Sequence, residues 1–521
     1  MKTSKFVIAI GACALLLLAG SPTWGAKGGI KGKPSPPTED PDPTPIDGYY
    51  FWRLGHMDGP HDLSMALGIS RDGKVAVGTT DVVEKLKAFR IDIDWAINTE
   101  DPTGVQGEAP LYNELQVQES LGSEAAFAAS DKTVTDEECA YDKGFPDEST
   151  LNLDWCGSFP VGTMTTGTVS YSVEWLFAPD PEATDEDDLP YIKIPDFGGG
   201  ISDMVATDVS ADGTIMVGTG NVKKGLVAFL ADMTTALVDP ETGETVVEPV
   251  QLTITEVTEE NPEGQTLQTS SAQAVSADGT IIAGYGSTKT STKAFVTIFE
   301  GTEVDEEGNV SAILTSTILP TIAGGKYAEA YAMTVTPEVV DDNGVVVDPG
   351  VIYIAGRSDS PKGPQSCIWF EGDDPATTDI VEEWVVKGIG GLSKKKYDSV
   401  ATGIVHRPGA ADGDLMVVGS SKSILYPSEA FVWAGNPTLE EEEDPVGYMY
   451  DLEYILIKTG VGEASLMGSS WILNEATGVA LYEDGTARIV GWGINPEGGV
   501  EAWVVTGYPE YELATLLTHD E

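Results

Sequence analysis

Carboxylates are the side chains of this sequence with the clearest capacity for chemistry. The chain has 84 Asp and Glu residues against 29 Lys and Arg residues, a formal net charge of −55 over 521 residues. Many of the acids stand in short runs, and clustered carboxylate oxygens are ligands that Ca²⁺ and Mg²⁺ prefer. The candidate cation ligands from four such runs are Asp185, Asp187, Asp188, Asp305, Glu307, Asp373, Asp374, Glu441 and Asp444.

The acidic runs also have two interpretations that involve no metal. A large net charge keeps copies of a protein apart and in solution, and an acidic surface suits a basic protein partner. The same charge repels phosphate, so the sequence argues against DNA or RNA as a partner. Calcium binding is therefore one hypothesis of three for these runs.

The sequence names no reaction. Only four histidines occur, and the pair His56 and His61 lacks the spacing and companions of a zinc site. A polysaccharide-acting enzyme would use two or three acidic or basic groups around the central channel, but the acids are too many to single out a pair. Tryptophans could form a carbohydrate platform, although most are expected in the core; they include Trp52, Trp95, Trp175, Trp369, Trp384, Trp433, Trp471, Trp492 and Trp503.

The chain contains an internal sequence repeat, and the fold of that repeat must position the acidic and aromatic residues. The segment from Ala66 to Gly78 returns from Ala206 to Gly218, from Ala272 to Gly284 and, less regularly, from Ala476 to Gly491. The glycine at the end of the central apolar run marks the register, and seven copies follow from it. Those glycines are Gly78, Gly162, Gly218, Gly284, Gly356, Gly419 and Gly491.

Each copy contains four short runs that suit β-strands, the first of which in the third copy is Tyr191 to Ile194. An Asp-Gly pair between the second and third runs predicts a tight hairpin and lacks the alternating carboxylates of a calcium loop. The pairs are Asp72 with Gly73, Asp212 with Gly213, Asp278 with Gly279, and Asp484 with Gly485. We predict an all-β fold, a single seven-bladed β-propeller of four-stranded antiparallel blades, with six or eight blades or a β-solenoid as alternatives.

The third copy, from Ala206 to Phe229, resembles the bacterial extracellular HAF-type repeat. Its Gly-Gly element appears at Gly198 to Gly200, and its aromatic strand appears, for example, as Ala430 to Trp433. The histidine of the family repeat is replaced by Lys87, Val227, Lys293 and Glu429, so no role for it carries over. The resemblance implies a secreted, propeller-like protein and no defined enzyme activity.

The N-terminus has the features of export. Lysines precede an apolar stretch from Phe6 to Ala19, which is too short for a stable membrane span and typical of a signal peptide. We predict a signal peptide over 1–25, a Pro- and Gly-rich disordered tether over 26–47 and the propeller over 48–521. Cys13 leaves lipidation open as an alternative, and export would permit a disulfide between Cys139 and Cys156. Cys367 stands where other copies have Phe, which indicates a buried apolar role.

Six links of the repeat, including 178–190 and 434–449, contain acids and no Lys or Arg. In an up-and-down blade they share a face with the Asp-Gly hairpins, and most lysines then lie on the opposite face. The sequence favours an exported, monomeric, non-enzymatic binding module at or outside the cell surface, with an unidentified protein or carbohydrate partner and no transmembrane segment in the mature chain. The alternative is an enzyme that acts on extracellular polysaccharide through acidic residues of one face.

Overall fold

A computed structural model gives the architecture of the compact unit Asp47–Glu521. The predicted signal peptide and tether, Cys13, and the Cys139 and Cys156 pair lie outside the described residues. Those are residues 50–55, 63–82, 85–93, 113–114, 124–130, 160–166, 169–175, 191–195, 197, 203–222, 225–238, 245–258, 261–304, 310–322, 325–336, 339–340, 346–348, 350–373, 382–393, 396–407, 414–438, 447–458, 471–482 and 484–507.

Short strands dominate the chain. In the first half they are β1 (Tyr50–Gly55), β2 (Ser64–Ile69), β3 (Val75–Val82), β4 (Lys85–Asp92), β5 (Asn113–Glu114), β6 (Glu124–Ala129), β7 (Pro160–Thr166), β8 (Val169–Trp175), β9 (Tyr191–Ile194), β10 (Met204–Val209), β11 (Ile215–Val222), β12 (Gly225–Asp232), β13 (Leu237–Val238), β14 (Thr245–Val246), β15 (Val250–Leu252), β16 (Thr255–Thr258) and β17 (Asn261–Thr266). In the second half they are β18 (Thr269–Val275), β19 (Ile281–Ser287), β20 (Thr292–Val304), β21 (Val310–Ile318), β22 (Ala328–Val335), β23 (Val339–Val340), β24 (Val346–Asp348), β25 (Ile352–Ser360), β26 (Gly363–Asp373), β27 (Glu382–Gly390), β28 (Ser399–His406), β29 (Leu415–Ser421), β30 (Glu429–Gly435), β31 (Gly447–Asp451), β32 (Ile472–Leu481), β33 (Ala487–Ile494) and β34 (Val500–Gly507). A 3₁₀ turn (Met233–Thr235) follows β12, and a short helix, α1 (Leu452–Lys458), follows β31.

Seven antiparallel sheets form a ring, which confirms the seven-bladed β-propeller over the alternatives. We number the blades by their inner strands: β2, β6, β10, β18, β22, β28 and β32 begin blades 1 to 7. Blades 1, 3, 4, 5, 6 and 7 have four strands each, and β14 and β13 extend blade 2 to six. Every register glycine lies in the second strand of its blade, so the seven predicted copies correspond to seven blades.

The boundary of the repeat differs from the prediction by one strand. Residues Tyr191–Ile194 (β9) pair with β8 and complete blade 2, whereas the sequence assigned them to the third copy. The same offset closes the ring, because β1 pairs with β34 and becomes the outer strand of blade 7. The acidic links therefore join the third and fourth strands within a blade and do not join successive blades.

The register glycine is explained by a carbonyl oxygen of the inner strand, which lies 2.0–2.1 Å from the Cβ position in every blade, and in five blades also by an aromatic ring of the third strand. Gly284 pairs with Phe295, and a Cβ atom at Gly284 would lie 2.9 Å from that ring and 2.1 Å from the Ser271 carbonyl oxygen. Gly78, Gly218, Gly419 and Gly491 meet an aromatic ring in the same way. In blade 5 the partner of Gly356 is the fully buried Cys367, which confirms that it occupies the place of Phe.

The hydrophobic core is divided among the interfaces between adjacent blades. Between blades 4 and 5, for example, Ala283 and Val296 pack with Ile354 and Trp369. Other clusters join blades 2 and 3, 3 and 4, 5 and 6, 6 and 7, and 7 and 1. None of the helical segments within the described ranges is long and apolar enough to span a membrane.

The Asp-Gly pairs lie at the turns between first and second strands. In blade 3 the Ser210 hydroxyl donates to Asp212 Oδ1 (2.7 Å), which also accepts the Thr214 amide (3.0 Å), and Gly213 has φ 73°. Blades 1, 4 and 7 repeat the positive-φ glycine. We call this side of the ring the turn face. The opposite side, which bears the turns between second and third strands, is the mouth face.

Candidate functional site

One of the nine predicted cation ligands lies in the part of the chain that the structure describes. Asp373 ends β26, where it pairs with Glu382 of β27. The other eight candidates lie outside the described residues. Among the residues that are described, no group of three or more His, Cys, Asp or Glu side chains could hold a metal ion. Calcium binding by the acidic runs stays a prediction.

An arginine ties the inner strands together on the turn face. Arg71 of blade 1 donates to the carbonyl oxygens of Val209 in blade 3 and Val275 in blade 4, both at 2.6 Å, and to Asp208 Oδ2 at 3.1 Å. Asp208 also accepts the amides of Val209 (2.9 Å) and Val275 (2.8 Å). Burial raises the pKa of Asp208, and the Arg71 charge opposes that rise. The Arg71 side chain thus extends across the centre of the ring from blade 1 to blades 3 and 4. It narrows the central channel of the propeller at the turn face.

Each inner strand has a bulge at the same place, at Leu67, Phe127, Thr207, Gln273, Tyr331, Thr402 and Thr477. The bulged threonines tie blades together: Thr207 Oγ1 donates to the Ala272 carbonyl of the next blade at 2.9 Å. Thr402 and Thr477 make the equivalent bonds to Ala476 (2.6 Å) and Ala66 (3.0 Å). In blade 5 a tyrosine occupies this position and bonds elsewhere.

Four side chains of blades 4 and 5 come together toward the mouth face, and we call Tyr285, Glu329, Tyr331 and Arg357 the mouth cluster. Glu329 Oε2 accepts from the Tyr331 hydroxyl and from Arg357 Nε, both at 2.8 Å. The rings of Tyr285 and Tyr331 lie 5.7 Å apart at 58°. Glu329 is 18% exposed and Arg357 is 42% exposed, so solvent reaches an organised set of charged and aromatic groups.

Burial and the neighbouring charges set the protonation states of the tyrosines and the arginine in the mouth cluster. Burial and the Glu329 charge raise the pKa of Tyr285 to about 12, and the same causes raise that of Tyr331 well above its ordinary value. Burial opposes the charged form of Arg357, but the charge of Glu329 and the hydrogen bond to it, together with Tyr331 and Asp398, outweigh burial and raise the pKa of Arg357. Both phenols therefore stay protonated at neutral pH, and the Tyr331 proton lies in its hydrogen bond to Glu329.

A second acid occupies the place of Glu329 in blade 7. Glu475 pairs across the sheet with Trp492, just as Glu329 pairs with Arg357. Because the partner is an indole and not a cation, burial raises the pKa of Glu475 to about 7, against a hydrogen bond to Trp492 that lowers it. The two positions hold the same residue type beside different partners, and Glu475 is a carboxyl group that can exchange a proton near neutral pH.

The tryptophans mostly lie in the core. Trp369, Trp433 and Trp503 are almost fully buried, and Trp52 and Trp471 are also buried. Trp384 and Trp492 keep partial solvent contact, and Trp95 lies outside the described residues. Among the tryptophans that the structure describes, Trp492 stands beside a candidate functional group, Glu475.

The mouth cluster was not predicted from the sequence, although the aligned copies of the repeat contain a signal for it. Aligning the copies on the register glycine gives the next residue as Thr79, Thr163, Thr219, Tyr285, Arg357, Ser420 and Trp492. Four blades keep a small hydroxyl residue there, and blades 4, 5 and 7 depart from it. Those three departures mark the positions of the mouth cluster and the Glu475 pair.

Comparison with known proteins assigns the chain to no family. No protein-family model matches the chain, and no curated protein matches it. Among solved structures, the chain is similar to one described as TolB from Agrobacterium tumefaciens, with 13% identity and a TM-score of 0.28 over 67% of this chain and 86% of that one. It is also similar to a protein of unknown function from Dyadobacter fermentans, with 10% identity and a TM-score of 0.30 over 89% of this chain and 100% of that one.

Proposed function

We propose that this protein is an exported, non-enzymatic binding module that recognises a hydroxyl-rich ligand, such as an oligosaccharide, at the mouth cluster. The observation that carries the proposal is the Tyr285 and Tyr331 pair beside the Glu329 and Arg357 ion pair. Sugars bind to proteins by stacking on aromatic faces and by hydrogen bonds to paired donors and acceptors, and the cluster supplies all three. The signal-peptide features and the resemblance to the HAF-type repeat support an extracellular setting.

The position of the cluster favours binding from one side. Arg71 spans the centre of the ring near the turn face, and the cluster lies toward the mouth face, so we expect a ligand to enter from the mouth face. Tyr331 also stands where blades 3, 6 and 7 use a threonine to tie neighbours together. Its hydroxyl donates to Glu329 instead, so in blade 5 the bulge residue contributes to the mouth cluster.

A glycan array with the purified mature chain, followed by calorimetry on any ligand found, tests the proposal. Tyr331→Ala removes one ring of the pair, and we expect about tenfold weaker binding. Tyr448→Ala is the matched control, because Tyr448 is also a partly exposed strand tyrosine stacked on another, Tyr450, at 6.0 Å. Tyr331→Phe separates loss of the donor from loss of the ring. An equal loss in Tyr331→Ala and Tyr448→Ala would contradict the proposal.

One observation favours the alternative, an enzyme acting on extracellular polysaccharide. A carboxyl group with a pKa near 7 can protonate a glycosidic oxygen at neutral pH, and Glu475 has that property. Under this alternative, Glu475→Gln abolishes release of reducing ends from polysaccharide and leaves binding at the mouth cluster unchanged. If the wild-type chain releases no sugar from any polysaccharide bound on the array, the enzymatic alternative is wrong.

A further inference from the structure

An apolar loop tip projects from the mouth face of blade 6, between β29 and β30. Ile424 is 90% exposed and Leu425 is 75% exposed. The loop is held in shape, because the Ser423 amide donates to the Tyr426 carbonyl (3.1 Å) and the Ser423 hydroxyl accepts the amides of Leu425 (2.9 Å) and Tyr426 (3.0 Å). An ordered loop that presents two adjacent apolar side chains to water is typical of an interaction site.

Exposed lysines share the mouth face with this tip, although the chain as a whole is strongly acidic. We call the lysine sector the five that lie in the mouth-face loops of blades 4 to 6, namely Lys289, Lys326, Lys362, Lys396 and Lys422. Lys362 Nζ lies 3.2 Å from the Tyr397 hydroxyl, and the Lys422 amide donates to the Asp398 carbonyl at 2.8 Å. Among the described residues of these loops, Asp398 is the one exposed acid. The sector is therefore locally cationic.

We propose that the mouth face of blades 4 to 6 docks on an anionic lipid surface. Ile424 and Leu425 enter the boundary between headgroups and acyl chains, and the lysine sector contacts the headgroup phosphates. Interfacial anchors combine these two features, since apolar side chains gain from leaving water and lysines gain near anionic headgroups. An acidic polysaccharide would satisfy the lysines but would offer no apolar layer to the tip.

The overall charge of the chain does not prevent this docking. The seven-residue strand β29 places the turn face roughly 23 Å from the mouth face. The Debye length is about 8 Å at physiological ionic strength, so acids at the turn face are largely screened from a membrane at the mouth face. The local charge of the lysine sector decides the interaction.

Co-sedimentation of the purified mature chain with lipid vesicles tests the proposal. The vesicles contain either phosphatidylcholine alone or equal parts of phosphatidylcholine and phosphatidylglycerol, and we expect binding to the second kind only. The double variant Ile424→Ser and Leu425→Ser should bind at least about tenfold more weakly. Ile298→Ser with Ile313→Ser is the matched control, because these isoleucines are also exposed, at 45% and 40%, but lie on blade 4 away from the tip.

Three results would overturn the proposal: no binding to anionic vesicles, equal loss in the two double variants, or unchanged binding when Lys362 and Lys422 are both replaced by Gln. Sedimentation of the chain without vesicles tests whether a second copy of the chain, and not a lipid surface, binds this face. If the chain self-associates and the Ile424 and Leu425 variant alone abolishes it, a second copy covers this face and the lipid proposal is wrong. Because the vesicles carry no sugar, these outcomes are independent of ligand binding at the mouth cluster.

Discussion

Removal of the Arg53 guanidinium should destabilise the fold where β1 pairs with β34 and closes the ring. Arg53 lies in β1, the strand that completes blade 7, and donates to both oxygens of Glu501 in β34, at 2.9 and 2.7 Å. Glu501 is only 1% exposed and also accepts from Asn495 Nδ2 at 2.8 Å. Arg53→Met keeps the length of the side chain and leaves this buried carboxylate with Asn495 alone.

The expected loss follows from the burial of the two partners. Hydrogen bonds to charged groups contribute about 1.5–3 kcal/mol, and removing one partner of a buried pair costs about 3–5 kcal/mol. Arg53 is 42% exposed, so solvent screens part of this interaction. We therefore expect Arg53→Met to lower the free energy of unfolding by about 3 kcal/mol, including about 0.5 kcal/mol from its contact with the Trp471 ring.

The same arginine supplies the control. Its other partner, Glu497, is 66% exposed and lies at 3.5 Å, so Glu497→Gln should change the free energy of unfolding by less than about 0.5 kcal/mol. Urea unfolding followed by tryptophan fluorescence measures both variants. A double-mutant cycle of Arg53→Met and Glu501→Gln should give a coupling energy of about 2 kcal/mol. If Arg53→Met is no more destabilising than Glu497→Gln, the closure does not depend on this pair.

Two further predictions concern the core of a blade and the acid of blade 7. Gly284→Ala should destabilise the fold by about 3 kcal/mol in urea unfolding, since its Cβ would meet the Ser271 carbonyl and the Phe295 ring. Gly391→Ala, whose Cβ would meet only side-chain atoms at 3.2 Å or more, should cost less than about 1 kcal/mol. Glu475 has a pKa of about 7 in the folded state against an ordinary 4.5, so the folded state holds its proton more tightly. Stability should thus fall between pH 4.5 and 7, by roughly 3 kcal/mol at most, and Glu475→Gln should remove that fall; an unchanged pH profile would contradict the assignment.

The sequence by itself determined the number of blades and the register of their central strands. Asp-Gly turns, register glycines and the aromatic strand are local signals, each set by interactions within a hairpin, such as Gly284 under Phe295. Since the register glycine recurs in all seven copies and the Asp-Gly turn in four of them, counting these signals was enough to predict the ring. Cys367 could be assigned to the core for the same reason, because its position in the copy is that of Phe.

Only the tertiary structure decided where a blade begins and which residues form a site. Whether Tyr191–Ile194 pairs with the strand before it or after it depends on contacts between hairpins, and sequence spacing alone leaves both open. The mouth cluster combines Tyr285 of one copy with Glu329, Tyr331 and Arg357 of the next. Glu329 and Glu475 occupy equivalent positions, but a guanidinium faces one and an indole faces the other. A side chain's chemistry depends on the neighbour that packing brings to it, and a repeat pattern specifies the position but not that neighbour.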